Sequence, residues 1–297
     1  MADVGALDFR QFVDNRGQRL PDDGRDGGRG YAYVSDKSTR KVFDSLKPVE
    51  VTVSAAVRLF EAYMKSELLG HSVKVGPRQF PRVHALANAC AEELGINPPT
   101  VYIVNNPVMN AATVGTNEAS VIMIHSALVD HFNDAELLSV IGHECGHIQN
   151  QHVVYLTALN YLRMLAGTLA RSVLAPAEVA LKAWLRRAEI TSDRAGLLCC
   201  KDVDVSTRAL TKLALGSSKL YAELNMDAFI EQYEELKGGI GRYAEASASH
   251  PWLPKRVIAL RHFSESALYR RHAKLGEQGL SMEEVDERVH DVIKVWG

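Results

Sequence analysis

The stretch Leu137-Leu138-Ser139-Val140-Ile141-Gly142-His143-Glu144-Cys145-Gly146-His147-Ile148 is an apolar run interrupted by two histidines and a glutamate. Its length and apolar spacing suit a helix, and Asn133 or Asp134 just upstream suits its N-cap. Asp134 and Glu136 fall in the first turn, where the helix dipole favours acids. On such a helix residues i and i+4 share a face one turn apart, so both imidazoles can reach one ion. His143-Glu144-x-x-His147 is therefore a zinc motif, with Glu144 placed to act as general base toward a water. The competing reading is a buried helix with satisfied histidines. It must place two imidazoles and a carboxylate in an apolar helix without partners, which is costly.

A catalytic zinc needs a third protein ligand and an open position. A longer motif with glycine at 150 and histidine at 153 is excluded, because those positions are Asn150 and Val153. His152 lies five residues past His147, so a continuing helix would turn it off the ligand face; it reads as a supporting or structural residue. Downstream, Glu189 and Asp193 are again i and i+4. Glu189 can bind the ion while Asp193 accepts the outer N–H of a ligand histidine. The spacing fits equally well a solvated helix face with Arg187 and Arg194 as ion-pair partners.

The surrounding chain is read outward from this helix. Upstream, helical spacing runs from about Val51 to Gly70 through Val57, Leu59, Phe60, Tyr63 and Met64. A second helix spans Pro81 to Leu94 and stops at Gly95. Thr100–Val104 is a strand; 110–114 and 119–124 are two more, parted by Gly115-Thr116-Asn117. His125–Val129 starts a short helix. From Tyr155 the chain is almost wholly helical, with breaks at Gly238-Gly239 and 247–249. Helices, a small antiparallel sheet, then many helices make an α+β, predominantly helical fold.

Bulk properties set outer bounds. The chain has 297 residues, 46% hydrophobic and 24% charged, with net charge -2, which suits a globular domain and gives no basic footprint for nucleic acid. Residues 14–30, rich in Gly, Asp and Arg, read as flexible, so the division expected is a leader at 1–45 and one domain at 46–297. The N-terminus has no signal-peptide core. The most apolar region, 153–185, is broken by Arg163, Arg171, Glu178 and Lys182, which argues against an integral span. Peripheral membrane association stays compatible with it. Cys90, Cys145, Cys199 and Cys200 form no CxxC pair and read as reduced thiols, pointing to a cytoplasmic location. Cys145 faces away from the metal side of its helix and reads as a small core residue.

Taken together, these residues resemble peptidase family M48, the HtpX-like group, over about Val101–Arg256. The likeness rests on four parts in order: Asn110-Ala111 followed by the strand Val121–Ile124 and Leu128; SVIGHECGHIQNQH at 139–152; Glu189-x-x-x-Asp193; and Ser249-His250-Pro251 with Arg256 beyond. The resemblance implies a zincin-like metalloprotease with one Zn2+ per chain on His143, His147 and Glu189. It gives Glu144 the general base and acid, Asp193 the support of a ligand histidine, His250 the oxyanion and Arg256 an assisting role. Asn110, Ala111 and Ala112 would begin an edge strand that pairs with a peptide or protein substrate. The family often has an aromatic residue where Ala112 stands, which leaves the groove's detail open. The spanning helices of its membrane members are lacking, so a soluble, bacterial-type endopeptidase is expected. Other readings are a latent, zymogen-like protease or a non-catalytic zinc-containing chaperone or adaptor.

Overall fold

Four strands carry the order β1 (Ser72–Lys74), β2 (Thr100–Val104), β3 (Ala111–Gly115) and β4 (Ser120–His125) along the chain, but they pair as β1-β2-β4-β3. The computed structural model describes residues 30–38, 66–115, 120–153, 155, 157, 168–236, 245, 248 and 250–294. The expected helix at 51–70 therefore lies mostly outside the described residues, as do Gly238-Gly239, Ser247 and Ser249.

The sheet is mixed, and this corrects the expectation of an antiparallel one. β3 and β4 form the expected antiparallel pair, Thr113 opposite Ile122. β2 and β4, however, run parallel, Val101 opposite Ile122. The 100–104 strand leaves the sheet through Asn105–Asn110, β3 enters at the far edge, and β4 returns between them. Pairing partners so far apart are chosen by which faces can be buried together, and strand pattern alone does not encode that choice. On β4, Ile122 and Ile124 point into the core and their neighbours do not, the alternation expected of a strand with one buried face.

The helices are α1 (Pro81–Leu94), α2 (Ser126–His131), α3 (Asp134–Gln149), α4 (Thr168–Cys200), α5 (Val203–Leu215), α6 (Ser218–Tyr221), α7 (Met226–Leu236), α8 (Leu253–Ser264), α9 (Ala267–His272) and α10 (Met282–Ile293). α1 begins on Pro81, as a proline at the first helical position allows. It ends on Gly95, whose φ of 64° is the left-handed conformation that glycine adopts without penalty. α3 starts from a capping box: the Asn133 side chain accepts from Glu136 N–H, and the Glu136 carboxylate accepts from Asn133 N–H.

α3 is the centre of the molecule. Leu137, Val140, Ile141 and Cys145 bury against Val83, Ala87, Cys90 and Leu94 of α1 and against Ile190, Ala195 and Leu198 of α4. α3 and α4 touch backbone to backbone. A Cβ on Gly146 would lie 2.6 Å from Ala195 Cβ, and one on Gly196 would lie 2.5 Å from Ser139 O. No larger residue fits either place, so two helices about 50 residues apart in sequence are held at one separation. That separation sets the reach of Glu189 to the histidines.

Residues 30–38 were expected to belong to a flexible leader. They instead form part of the core: Tyr31, Tyr33 and Asp36 are each at most 2% exposed. Two aromatic rings and a paired acid offset the ordering cost that the flanking glycines suggested. The charge-rich sequence hid this, because its few anchors are not contiguous.

Candidate metal centre

His143, Glu144 and His147 project from the last two turns of α3, and Glu189 and Asp193 from α4 facing it. The Nε2 atoms of His143 and His147 lie 3.1 Å apart. The Glu189 carboxylate is 3.6 Å from the first and 3.4 Å from the second. One donor atom from each of the three residues falls within 4.8 Å of the others. These are the three residues that the sequence offered as ligands, and α4 brings the third from 42 residues beyond His147. Two imidazole nitrogens and one carboxylate oxygen are the donors of a catalytic zinc site with an open position, so the residues fit such an ion.

The outer atoms of the site are also occupied. His143 Nδ1 lies 2.9 Å from Asp193 Oδ1, the carboxylate–histidine contact that orients a metal ligand. Arg256 then grips Asp193 with two bonds, Nε to Oδ2 at 2.8 Å and Nη2 to Oδ1 at 2.6 Å. The same Nη2 lies 3.1 Å from Glu189 Oε2. Both carboxylates are about 5% exposed. Burial opposes the charge of Asp193, but the Arg256 guanidinium and the His143 imidazole together hold the carboxyl below its usual range. Burial likewise opposes the charge of Glu189, and the charges of His250 and Arg256 hold it well below the usual carboxylate range. Glu189 is thus kept as an anion, the form a metal ligand requires.

The expected role of Arg256 beside an oxyanion competes with this geometry, since the contacts just described commit its guanidinium to Asp193 and Glu189. His250 is differently placed. Its side chain is 59% exposed, with Nε2 3.5 Å from Glu189 Oε1, at the mouth of the site. The chain leading to it is tied to α4 through Arg186, which donates to Ala248 O at 2.8 Å. Ser249, the first residue of the quoted Ser-His-Pro, lies outside the described residues.

A cavity of about 450 Å³ opens over the triad. One wall is Asn110, Ala111, Ala112, Thr113 and Val114, from the edge strand β3 and the residue before it. The rest of the lining includes an apolar group, Val140, Ala209, Leu210, Leu213, Leu253 and Leu260. Glu144 sits between these walls, 7% exposed. Its Oε2 accepts from Thr113 Oγ1 at 2.5 Å. Thr113 fixes the carboxylate and was not singled out from the sequence. A threonine in a strand is unremarkable there, and only the docking of β3 on α3 gives it this partner. Cys145, on the opposite side of α3, is fully buried, and burial pushes its thiol up. It belongs to the core, as read from the sequence.

Imidazoles one helical turn apart, a carboxylate facing them from a later helix and a glutamate between them are the arrangement of a metal-dependent peptidase of the gluzincin kind. The profile of peptidase family M48 matches residues 77–264. The chain belongs to that family. It is 34% identical over 237 residues to the plastoglobule-localized metallopeptidase 48, chloroplastic, of Arabidopsis thaliana, covering 76% of this chain and 69% of that protein. It is also 31% identical over 100 residues to a protease HtpX homolog of Moorella thermoacetica, covering 33% of each. A protease HtpX homolog of Halobacterium salinarum is 29% identical over 96 residues, 32% of this chain and 33% of that one. The likeness to the HtpX homologs thus spans about a third of their length. No solved structure matches the chain. Among the described residues, no helix is long and apolar enough to cross a membrane.

Proposed function

We propose that this metallopeptidase is a zinc endopeptidase that takes an extended peptide along β3 and cuts it over the His143–His147–Glu189 triad. The observation that carries the reading is the coincidence of three features in one cavity. They are the three donors within 4.8 Å of one another, Glu144 beside them, and, as the facing wall, the edge strand of the sheet among the described residues. An extended segment adds to such an edge through main-chain hydrogen bonds, and pockets select among its side chains.

One Zn2+ per chain supplies Lewis acidity when bound, acidifying water and polarising the scissile carbonyl. Everything else falls to the protein. Glu144, steadied by Thr113, takes a proton from the attacking water and hands it to the leaving amine. His250, exposed at the mouth, donates to the developing oxyanion. Asp193 holds His143, and Arg256 keeps Asp193 and Glu189 charged and in place. The apolar lining of Val140, Leu210, Leu213 and Leu260 favours a bulky apolar side chain next to the scissile bond. Free thiols at Cys90, Cys145, Cys199 and Cys200 suit a reducing compartment.

The test is Glu144→Gln, assayed on a library of unstructured peptides. Zinc content stays at one per chain while turnover falls by about two to four orders of magnitude, the usual weight of a positioned acid–base group. Cleavage by the variant at the wild-type rate removes the mechanism. Cleavage sites with no apolar enrichment remove the pocket assignment alone.

A further inference from the structure

The outer nitrogen of His143 meets a carboxylate directly. The outer nitrogen of His147 meets another imidazole: His147 Nδ1 lies 3.1 Å from His152 Nδ1. His152 is fully buried, and its Nε2 lies 3.0 Å from Asp36 Oδ2. Asp36 comes from the N-terminal segment, 116 residues away from His152. Trp184 Nε1 donates to Asp36 Oδ1 at 2.8 Å, and Thr191 Oγ1 donates to Oδ2 at 2.7 Å.

These contacts suit one proton arrangement along the chain of groups when both imidazoles are neutral. Asp36 meets only donors, Trp184, Thr191 and His152. Burial opposes its charge, but those three partners hold it below its usual range, as a carboxylate. His152 must then point its N–H at Asp36, which leaves its Nδ1 a lone pair. That lone pair accepts the Nδ1–H of His147. The remaining lone pair of His147 is on Nε2, the nitrogen that faces His143 and Glu189. With both imidazoles neutral, each has one donor and one acceptor nitrogen, and this assignment gives every group in the chain a partner.

The backbone is bent to make this contact. On a continuing helix His152 would turn away from His147. Instead α3 stops at Gln149, and Gln151 takes φ 60°, a left-handed conformation that costs a residue other than glycine about 1–2 kcal/mol. The turn places His152 directly behind His147, its N–H donating to His147 O at 2.9 Å.

We infer that Asp36 is a positioning residue of the metal site, acting through His152 to hold His147 in its metal-binding tautomer. The N-terminal segment is then a working part of the centre. It is fastened independently of the relay: Arg194 donates to Tyr31 O at 3.0 Å and pairs with Asp286, which also accepts from Val34 N–H at 3.0 Å. Tyr31 bonds Gln149 and Asn150 at the end of α3. Docking of residues 30–38 thus brings Asp36 to His152, while Tyr31 and Val34 hold the segment by contacts outside the relay.

The inference rests on the metal reading proposed for the triad, and the experiment separates the two. Zinc affinity of the full-length chain is measured by chelator competition, and the Co2+ form is followed by its visible absorption. Thermal midpoints of the metal-free proteins are recorded alongside. Asp36→Asn is expected to weaken zinc binding about ten- to a hundredfold, the usual loss when a partner of a ligand histidine is removed, and to alter the Co2+ spectrum. Tyr31→Phe loosens the same segment without touching the relay. It lowers the metal-free midpoint and leaves affinity and spectrum at wild type. If Asp36→Asn does not fold, His152→Phe, which breaks the relay at its middle, carries the same expectation. Wild-type affinity and spectrum in the relay variants overturn the inference, as does a loss in Tyr31→Phe equal to that in Asp36→Asn. Failure of the wild-type protein itself to bind zinc overturns the metal reading instead.

Discussion

The two histidines of the motif sit one turn apart on one helix, yet they are supported in different ways. His143 leans on Asp193, which lies on the facing helix, is clamped by Arg256, and is reached in a single hydrogen bond. His147 leans on His152 and, through it, on Asp36 from a segment far away in the chain. The first support is built from the same helix pair that makes the ligand set. The second needs a separate piece of chain to dock. A site with one local and one distant support depends on both, so its metal affinity should respond to the loss of either.

Four substitutions probe this asymmetry. Glu189→Ala has the largest effect, since it takes away the carboxylate common to both halves. Zinc content measured by mass spectrometry should fall to background and peptide cleavage with it; retention of a full zinc would mean that another residue completes the site. Arg256→Ala comes next. It leaves two buried carboxylates without their counter-charge, a loss of about 3–5 kcal/mol, visible as a lower denaturation midpoint in urea. A midpoint unchanged within error would show that water already screens the pair. Asp193→Asn removes the local support and should weaken zinc binding at least as much as Asp36→Asn does, because its contact with the ligand is direct. The reverse order would make the distant support the dominant one.

The smallest effect concerns the frame itself. Gly146→Ala forces α3 off α4, at a cost of about 1–3 kcal/mol for overpacking. Thermal unfolding should show the loss, with zinc affinity reduced in step as Glu189 moves away. An unaltered midpoint would mean the helices close around the methyl group without strain.

Much of the site could be read in one dimension. The motif, its i,i+4 geometry, the N-cap at Asn133 and the Glu189–Asp193 pair are local consequences of helix period, and helix period is legible in sequence. His250 and Arg256 were visible only through a family likeness, because a histidine before a proline signals nothing by itself. Asp36 and Thr113 were not visible. Asp36 stands just past the glycine-rich 14–30 stretch, inside the 1–45 leader read as flexible, and Thr113 looks like any strand threonine. The parallel pairing of β2 with β4 was also hidden, since the alternation of a strand names its buried face and not its neighbour.

The sequence by itself determined that α3 is a helix carrying two imidazoles and a glutamate on it, and that a later helix offers two carboxylates on one face. Bond geometry along a single helix leaves no other outcome. Only the tertiary structure decided that those carboxylates face the histidines, that Arg256 keeps them charged, and that residues 30–38 close the site from behind. These are matters of which surfaces fit together. The glycine contacts between α3 and α4, and the left-handed turn at Gln151, are where that fit is made.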